Sequence, residues 1–425
     1  MITTTTSNFA GVLADGVIDP LLRDLHSKDI QKLFFDRNPV LKEIRSYEDL
    51  DWDVSSRRAV FTLEIARPGS FIGLNELEAP PKGSASEFVQ GEIYARNLYS
   101  TFEITGQAYS KGTNGKAVAN LVKHNMKRMM ETVEANMERM VCGDATGVLC
   151  DVASYNSGTK TVTIDPSGAN DIPNLYFLHQ NSNVAWGSVS GTTFTKTGSG
   201  KVVAKPRRAP LTFVISVDGT SADPAAADVF VMGDSGTPGH GYRKEFYGLK
   251  NILKDQKFLG IDWDDVPEWE PQNVLNTDTT EEFTAEYLTE LCDEYENVTD
   301  QMPTQIMAPP KLLRTYQGAM VQDVRYVPGG TMVGGAKGLQ FVHSASGNSI
   351  PLVRVRSLMD TMAILWQPSK VGFAWQEKWG WRQWDGGKIL RPNPSGLDAA
   401  SAYYQAYGNL GCKNRKFVMG VQNLI

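Results

Sequence analysis

The chain has 425 residues, of which 41% are hydrophobic and 21% charged, and its formal net charge is −6. This composition is typical of a globular protein with two or three folded units and excludes a disordered chain. The negative charge argues against a protein whose whole surface grips nucleic acid, and no apolar run is long enough to predict a membrane span.

Residues 1–57 are predicted to form an N-terminal arm rather than a domain. Small apolar clusters, separated by polar breaks and prolines, recur along it: Ile30, Leu33 and Phe34, then Val40, Leu41 and Ile44. Each cluster is too small to form a core, so we expect it to lie on the rest of the chain or on a neighbouring subunit.

Residues 58–105 are predicted to form two strands around a long loop. Phe61, Leu63 and Ile65 alternate with Val60, Thr62 and Glu64 on the first strand, and Leu98, Phe102 and Ile104 share one face of the second. The intervening residues 67–91 are rich in glycine and proline. An isolated hairpin of this size is marginal in water, so its stability is expected to come from another copy of the protein, with an active-site lid as the alternative.

A long helix is predicted from Thr113 to Gly143, with Thr113 or Asn114 as its N-cap and Gly143 at its end. At 1.5 Å per residue it would be roughly 45 Å long. Its apolar residues recur at steps of three and four and are predicted to form one buried stripe: Val118, Val122, Met126, Met129, Val133, Met137 and Met140. Arg139 and most other charged residues fall off this stripe.

Residues 148–235 are predicted to form a small β module inserted into the host domain. Short strands are predicted at 161–164, 175–178, 201–204, 211–217 and 228–232. Asp218-Gly219 is a hairpin signal, and the turn-rich segment 190–201 is predicted to be a solvent-facing loop.

Residues 236–425 are predicted to mix helices and strands. The first helix lies at 281–298, and a second begins at Lys311 after a short strand and a double proline. The remaining strands are expected within 339–344, 350–358, 361–367 and the tail.

Motifs for catalysis or cofactor binding do not appear. GTNGKA (112–117) and GSGK (198–201) lack the full spacing or the hydroxyl of a phosphate-binding loop, and both are interpreted as loops. No GxGxxG follows a strand, no GxSxG occurs, and the five histidines show no HExxH pairing. The four cysteines, Cys142, Cys150, Cys292 and Cys412, lack metal-site spacing and predict reduced thiols. We therefore predict no catalytic, cofactor-binding or metal-binding residues and no cofactor.

Two residue clusters have both a functional and a structural interpretation. Asp262, Asp264, Asp265 and Glu268 could hold a hard cation, but their spacing lacks order and a solvated loop is favoured. Trp375, Trp379, Trp381 and Trp384 could form a carbohydrate platform, but their near-alternating positions on one strand favour packing in a core or an interface.

The order of these pieces resembles the major capsid proteins of tailed bacteriophages, the Hong Kong 97-like family. The arm, the extended hairpin and a long helix ending in GDATG (143–147) come first. GYRKEFYGLKNILKDQKFLGIDWDDVPEWEP (241–271), PTQIMAPPKLLRTY (303–316), MVGGAKGLQFVHSASGNSIPLVRVRSLMDTMAILWQPSKVGF (332–373) and NLGCKNRKFVMGV (409–421) are similar to successive passages of that family. The resemblance covers nearly the whole chain.

This resemblance implies an α+β Hong Kong 97-like capsid fold. Its parts would be the N-terminal arm (1–57), the extended β-hairpin loop (58–105), the spine helix of the peripheral domain (106–147), the inserted β-rich domain (148–235), and the remaining peripheral and axial domains (236–425).

The implied function is that of a structural protein and not an enzyme. Copies would self-assemble into pentamers and hexamers of an icosahedral shell that encloses double-stranded DNA without sequence-specific binding. The implied location is the virion, with assembly in the host cytoplasm and no membrane. Partners would include a portal, a separate scaffolding protein and, in some relatives, cement proteins. Lys82 is the lysine to consider for a lysine–asparagine cross-link, but no motif identifies its asparagine or a catalytic glutamate.

Two alternatives stay open. An encapsulin-like compartment would have the same fold but a protein cargo. A soluble enzyme would use residues 66–92 as a lid, and would be a monomer or dimer instead of a large particle.

Overall fold

The computed structural model describes residues 39–47, 52–53, 57–66, 73–74, 78, 82–83, 85–105, 115–165, 177–208, 211–219, 221–233, 240–275, 281–320, 339–342, 347–383, 391–392 and 399–425. The described helices are α1 (Pro39–Glu43), α2 (Gly115–Cys142), α3 (Leu249–Lys254), α4 (Ala285–Thr299) and α5 (Pro310–Met320). The described strands are β1 (Arg45–Ser46), β2 (Trp52–Asp53), β3 (Arg58–Ala66), β4 (Glu87–Tyr94), β5 (Arg96–Thr105), β6 (Val148–Asn156), β7 (Thr161–Ile164), β8 (Asn183–Ser190), β9 (Thr193–Arg208), β10 (Leu211–Val217), β11 (Val229–Met232), β12 (Lys257–Phe258), β13 (Ile261–Asp262), β14 (Gln272–Leu275), β15 (Gln305–Ala308), β16 (Leu339–Val342), β17 (Ser349–Arg354), β18 (Ala363–Trp366), β19 (Val371–Trp381), β20 (Arg391–Pro392), β21 (Ala399–Cys412) and β22 (Val418–Gln422). Among these helices, none combines the length and apolarity that crossing a bilayer requires.

A five-stranded sheet and the helix α2 form the first part of the main core. The sheet has the order β1-β19-β21-β20, and β5 pairs with β21 along ten residues. Helix α2 packs against β5 and, at 28 residues, is about 42 Å long. Met126, Met129, Val133 and Met137 of the predicted stripe are buried. Met140 of the predicted stripe is only half-buried, whereas Met130, which was not assigned to the stripe, is buried. The buried face of α2 therefore differs from the predicted one at these two positions.

A six-stranded sheet with the order β14-β22-β18-β15-β17-β16 forms a second core with α4 and α5. Helix α4 starts where the Thr284 hydroxyl accepts a hydrogen bond from the Tyr287 amide, and it ends at Asp300, which adopts a left-handed conformation. Leu288, Leu291 and Tyr295 are buried against the sheet, as their spacing predicts.

Six strands between Val148 and Met232 form a closed antiparallel barrel in the order β10-β7-β6-β11-β8-β9. Trp186, Phe213 and Phe230 fill its core. Strands β7, β10 and β11 match the sequence prediction within one residue, whereas β6 and β8 were not predicted.

Three sequence predictions for this region are wrong. Segment 190–201 is the end of β8, a two-residue turn and the first half of β9, because its threonines and glycines fit a strand over the Trp186 ring. No hairpin forms at Asp218-Gly219, because β11 pairs with β6 and β8 instead of β10. Phe177 and Leu178 lie outside any strand, while residues 175–176 fall outside the described residues.

The extended hairpin also differs from its prediction. Strand β3 pairs with β4, whose residues were interpreted as loop, and the predicted second strand is β5, which pairs with β21. The error has a physical cause. Gly91 breaks the apolar pattern of β4, but it lies within the strand because the Phe61 ring of the opposite strand occupies the space that its Cβ would take.

Candidate assembly surface and the elements that position it

The β3–β4 hairpin has one face turned to the chain's own core and one turned to solvent. Residues directly opposite each other in an antiparallel pair share a face. Ala59 and Ile93 are opposite one another and fully buried, and Leu63 and Val89 are opposite one another and packed on the same core. This inner face anchors the base of the hairpin on the rest of the chain.

The base is also held by backbone contacts. The Glu92 amide donates to the Leu259 carbonyl at 2.8 Å, in the turn between β12 and β13. Gly260 of this turn has φ +86, a left-handed conformation that glycine adopts without strain, and it lies in van der Waals contact with Glu92. The expectation that the hairpin is stabilised only from outside is therefore wrong for its base.

The outer face carries apolar side chains exposed to solvent. Phe88 is 62% exposed, Tyr94 48% and Val60 37%. Between them, Arg58 forms an ion pair with Glu92, and the Tyr94 hydroxyl donates to Glu92 at 2.7 Å, which raises the pKa of Tyr94. We call Val60, Phe88 and Tyr94 the outer patch. Exposed apolar surface of this kind, on a two-stranded projection, is typical of a binding surface.

The arm is anchored on its own chain where it is described. Val40 and Leu41 of α1 are fully buried in the main core, and β1 pairs in parallel with β19. The Tyr47 hydroxyl donates to the Lys370 carbonyl at 2.8 Å. The apolar clusters of the arm were expected to lie either on the rest of the chain or on a neighbouring subunit. The second cluster, Val40, Leu41 and Ile44, lies on the rest of the chain. Ile30, Leu33 and Phe34 lie outside the described residues.

A buried ion pair connects the end of α2 with the segment that follows the barrel. Arg139 donates to both carboxylate oxygens of Glu245, one at 2.9 Å, and both side chains are less than 10% exposed. Arg139 was predicted to lie off the buried stripe, and the ion pair was not predicted. A charged residue at this position does not indicate burial, because an arginine beside the apolar stripe of a helix most often extends its guanidinium into solvent.

Gly248 immediately precedes α3, which begins at Leu249. A Cβ at this position would overlap with the carbonyl oxygens of Gly143 and Met140, so only glycine lets α3 start against the end of α2. The Lys250 amide donates to the Gly143 carbonyl at 3.2 Å, and the Asn251 side chain donates to the Asp144 carbonyl at 2.9 Å.

Arg415 is fully buried and was also missed. Its guanidinium donates to the carbonyls of Ile252 and Asp255 at 2.7 and 2.8 Å, and so it caps the end of α3. Phe258, Trp263 and Trp269 surround it with their rings at 5.2 to 5.9 Å. Burial lowers the pKa of Arg415 to about 10.

The acidic cluster is part of a turn. The Asp262 carboxylate accepts from the Asp264 amide at 3.1 Å, Asp264 accepts from Gln256, and Glu268 pairs with Lys416. Asp265 is exposed. In the described part of the chain, no group of three or more His, Cys, Asp or Glu residues is placed to hold a metal ion.

The tryptophans pack among other rings. Trp375 stacks on Phe373, Trp379 stacks on Tyr404 with centroids 5.2 Å apart, and Trp381 meets Phe102 edge to face. The packing interpretation is therefore correct for these three, and Trp384 lies outside the described residues.

The remaining candidates have structural roles or stay exposed. In the GSGK segment, Gly198 and Gly200 belong to β9 and leave room for the Trp186 ring, so the interpretation of this segment as a loop is wrong. GTNGKA lies partly outside the described residues. All four cysteines are buried and free of disulfides, and burial raises the pKa of Cys292 and Cys412 to about 12. Lys82 is exposed between β3 and β4.

A cleft of about 280 Å³ lies between the far part of the hairpin and the body. Leu63 and Ile65 line it from the hairpin, while Val298 and Asp300 at the end of α4 and Lys416 line it from below. The distal half of the hairpin is therefore less closely packed on the chain than its base.

No protein-family profile matches the chain, and no curated protein matches its sequence. Among solved structures, the chain is similar to one of Gordonia phage Cozz, with 10% identity, a TM-score of 0.45 and coverage of 92% of this chain and 87% of the other. A structure of Mycobacterium phage Adephagia has 8% identity, a TM-score of 0.42 and 96% coverage of both chains. The holo-SrpI encapsulin complex of Synechococcus elongatus has 10% identity, a TM-score of 0.35 and coverage of 80% and 78%. Identities of 10% or less and TM-scores below 0.5 are too low to assign a function to this chain.

Proposed function

We propose that this chain is the major capsid protein of a tailed bacteriophage, a structural and non-enzymatic subunit that self-assembles into an icosahedral shell. The observation that carries the proposal is the hairpin, whose base is buried in its own chain while the outer patch, led by Phe88, faces solvent. Such a projection gains stability by docking on a second copy. Head-to-tail contacts that close produce rings.

The other elements have consistent roles in such a subunit. The arm (1–57) and the hairpin region (58–105) would contact neighbours, and the spine helix (106–147) would connect them with the barrel (148–235) and with the two sheets of 236–425. Rings of five and six copies would enclose double-stranded DNA without reading its sequence. The net charge of −6 suits this role, because a strongly basic lining would hold the genome too tightly. A portal and a separate scaffolding protein would take part in assembly in the host cytoplasm, and cement proteins would bind the shell as they do in some relatives.

The test is the size of the assembled chain. Purified full-length protein should form closed icosahedral particles with rings of five at the vertices and rings of six between them in electron micrographs, and light scattering should give megadalton masses. A stable monomer or dimer under all assembly conditions would refute the proposal and favour a soluble enzyme. Particles from the natural source should contain nuclease-protected DNA, whereas a protein cargo without DNA would favour an encapsulin-like compartment.

A further inference from the structure

In the described part of the chain, residues 146–147 and 241–243 lie side by side where the barrel meets the body. The Arg243 amide donates to the Thr146 carbonyl at 2.9 Å, and the Gly241 amide donates to the Met232 carbonyl at 2.7 Å. Gly147 has φ +74 and lies against Gly241, so the two segments approach too closely for larger residues. Further contacts beside these two segments are therefore expected to fix the orientation of the barrel relative to the body.

A cluster of three rings forms such a contact. The Phe194 ring, near the start of β9, contacts two rings of residues 240–248, the exit segment that leads from the barrel to α3: His240 is tilted against it with centroids 4.9 Å apart, and Tyr242 is stacked on it at 5.5 Å. Phe194 and Tyr242 are less than 10% exposed. We call Phe194, His240 and Tyr242 the ring clasp. It joins a barrel strand to the segment that returns to the body.

The clasp suits a neutral histidine. Nδ1 of His240 is shielded from solvent and has no hydrogen-bond partner among the described residues. Lys196 of β9 and Lys244 of the exit segment act on His240, and the Lys244 ammonium donates to the His240 carbonyl at 2.8 Å. Arg243 adds a third cation beside Tyr242, at 5.9 Å from the ring centroid.

Among the described residues, no carboxylate is found to act on His240 against the positive charges of the two lysines. Glu245 is the nearest carboxylate along the chain, and its side chain is turned to Arg139. Partial burial of the imidazole, followed by the two lysines, lowers the pKa of His240. An imidazolium would gain some attraction from the Phe194 face, but partial burial and the two lysines act against it.

We propose that the ring clasp is a proton-sensitive latch, which fixes the barrel to the body at neutral pH and releases it when His240 is protonated. The direction follows from linkage. His240 has a lower pKa in the closed clasp than in an open, hydrated state near 6.5, so the closed state is fully favoured above about pH 6.5. Its advantage decreases as the pH falls from there toward the lowered pKa, and each unit of difference lowers the closed-to-open ratio about tenfold.

Hydrogen–deuterium exchange of the full-length protein tests the latch. After correction for intrinsic exchange, the peptide containing Gly241 and Arg243, whose amides donate to the Met232 and Thr146 carbonyls, should lose protection between pH 7.5 and 5.5. The loss should be at most about tenfold, because pH 5.5 lies one unit below the open-state pKa of about 6.5. His240→Phe keeps a ring but cannot be protonated, so its protection should match the wild type at pH 7.5 and stay constant. His124→Phe, at an exposed histidine on α2, should leave the wild-type response unchanged.

Two results would overturn the proposal: a wild-type protection that does not change with pH, or an equal change in His240→Phe. A measurement on the unaltered protein guards against a variant that fails to fold. Nuclear magnetic resonance of protein labelled only at its five histidines should give a His240 titration midpoint below 6.5. A midpoint at or above 6.5 would also overturn it.

Discussion

The barrel and the hairpin are both antiparallel β structures, but only the barrel is complete within one chain. Every strand of the barrel is paired on both sides, and its core is separate from the main core. The hairpin has two principal strands, its inner side chains are half-buried beyond the base, and its outer patch is exposed. A closed sheet has no edge left to pair, whereas an open two-stranded ribbon becomes stable only with another surface. The difference fits the proposed function, in which the barrel is complete within one chain and the hairpin contacts a second copy.

The strongest test of this comparison removes the centre of the barrel core. Trp186 is fully buried, and its indole N–H donates to the Ala222 carbonyl at 3.0 Å. Trp186→Ala leaves a large cavity and an unpaired carbonyl, so we expect the barrel to lose about 3–5 kcal/mol of stability. Calorimetry should show the transition of the barrel at lower temperature while that of the body is nearly unchanged.

Val189→Ala is the matched control, because Val189 lies on the same strand as Trp186 but is 37% exposed. It should change stability by less than about 0.5 kcal/mol. If Trp186→Ala destabilised the body and the barrel equally, the two would form one cooperative unit and the comparison would fail.

The next test concerns the junction between the barrel and the body. Arg139→Met leaves Glu245 buried without its partner, and the expected cost is about 3–5 kcal/mol in urea denaturation, at most equal to that of Trp186→Ala. The double variant Arg139→Met with Glu245→Leu replaces both charges by apolar groups, and should recover most of the loss. A double variant as unstable as the single one would show that the charges themselves are required.

Regular periodicity was sufficient to predict much of the fold. Helix α4, its buried residues and the strand β10 follow from residue spacing alone, since each repeats a simple pattern over several residues. The position of the long helix α2 was predicted correctly, but Met130 is buried where Met140 was expected to be.

The errors occur where contacts distant in sequence decide the structure. A Cβ at Gly91 in β4 would meet the Phe61 ring, and Cβ atoms at Gly198 and Gly200 in β9 would meet the Ala222 and Ser216 carbonyl oxygens. Each glycine is a loop signal when only its neighbours in sequence are considered. For the candidate surface, the sequence predicted a projecting hairpin, but it could not show that Ala59 and Ile93 would bury the base and leave Phe88 outside.

The smallest expected change in stability is at the outer patch, where the change in assembly should be large. Phe88→Asp replaces a side chain that is 62% exposed, so the free energy of unfolding of the single subunit should change by less than about 0.5 kcal/mol. In a shell, the same side chain would be buried against a second copy, where a phenylalanine contributes about 1.5–3 kcal/mol and an unpaired carboxylate is unfavourable. This cost recurs at every subunit, so particles should be absent in light scattering and electron micrographs. Val189→Asp makes the same kind of change on the barrel and should still assemble. Normal particles from Phe88→Asp, or an equal loss in Val189→Asp, would contradict the assignment of the hairpin as the surface between copies.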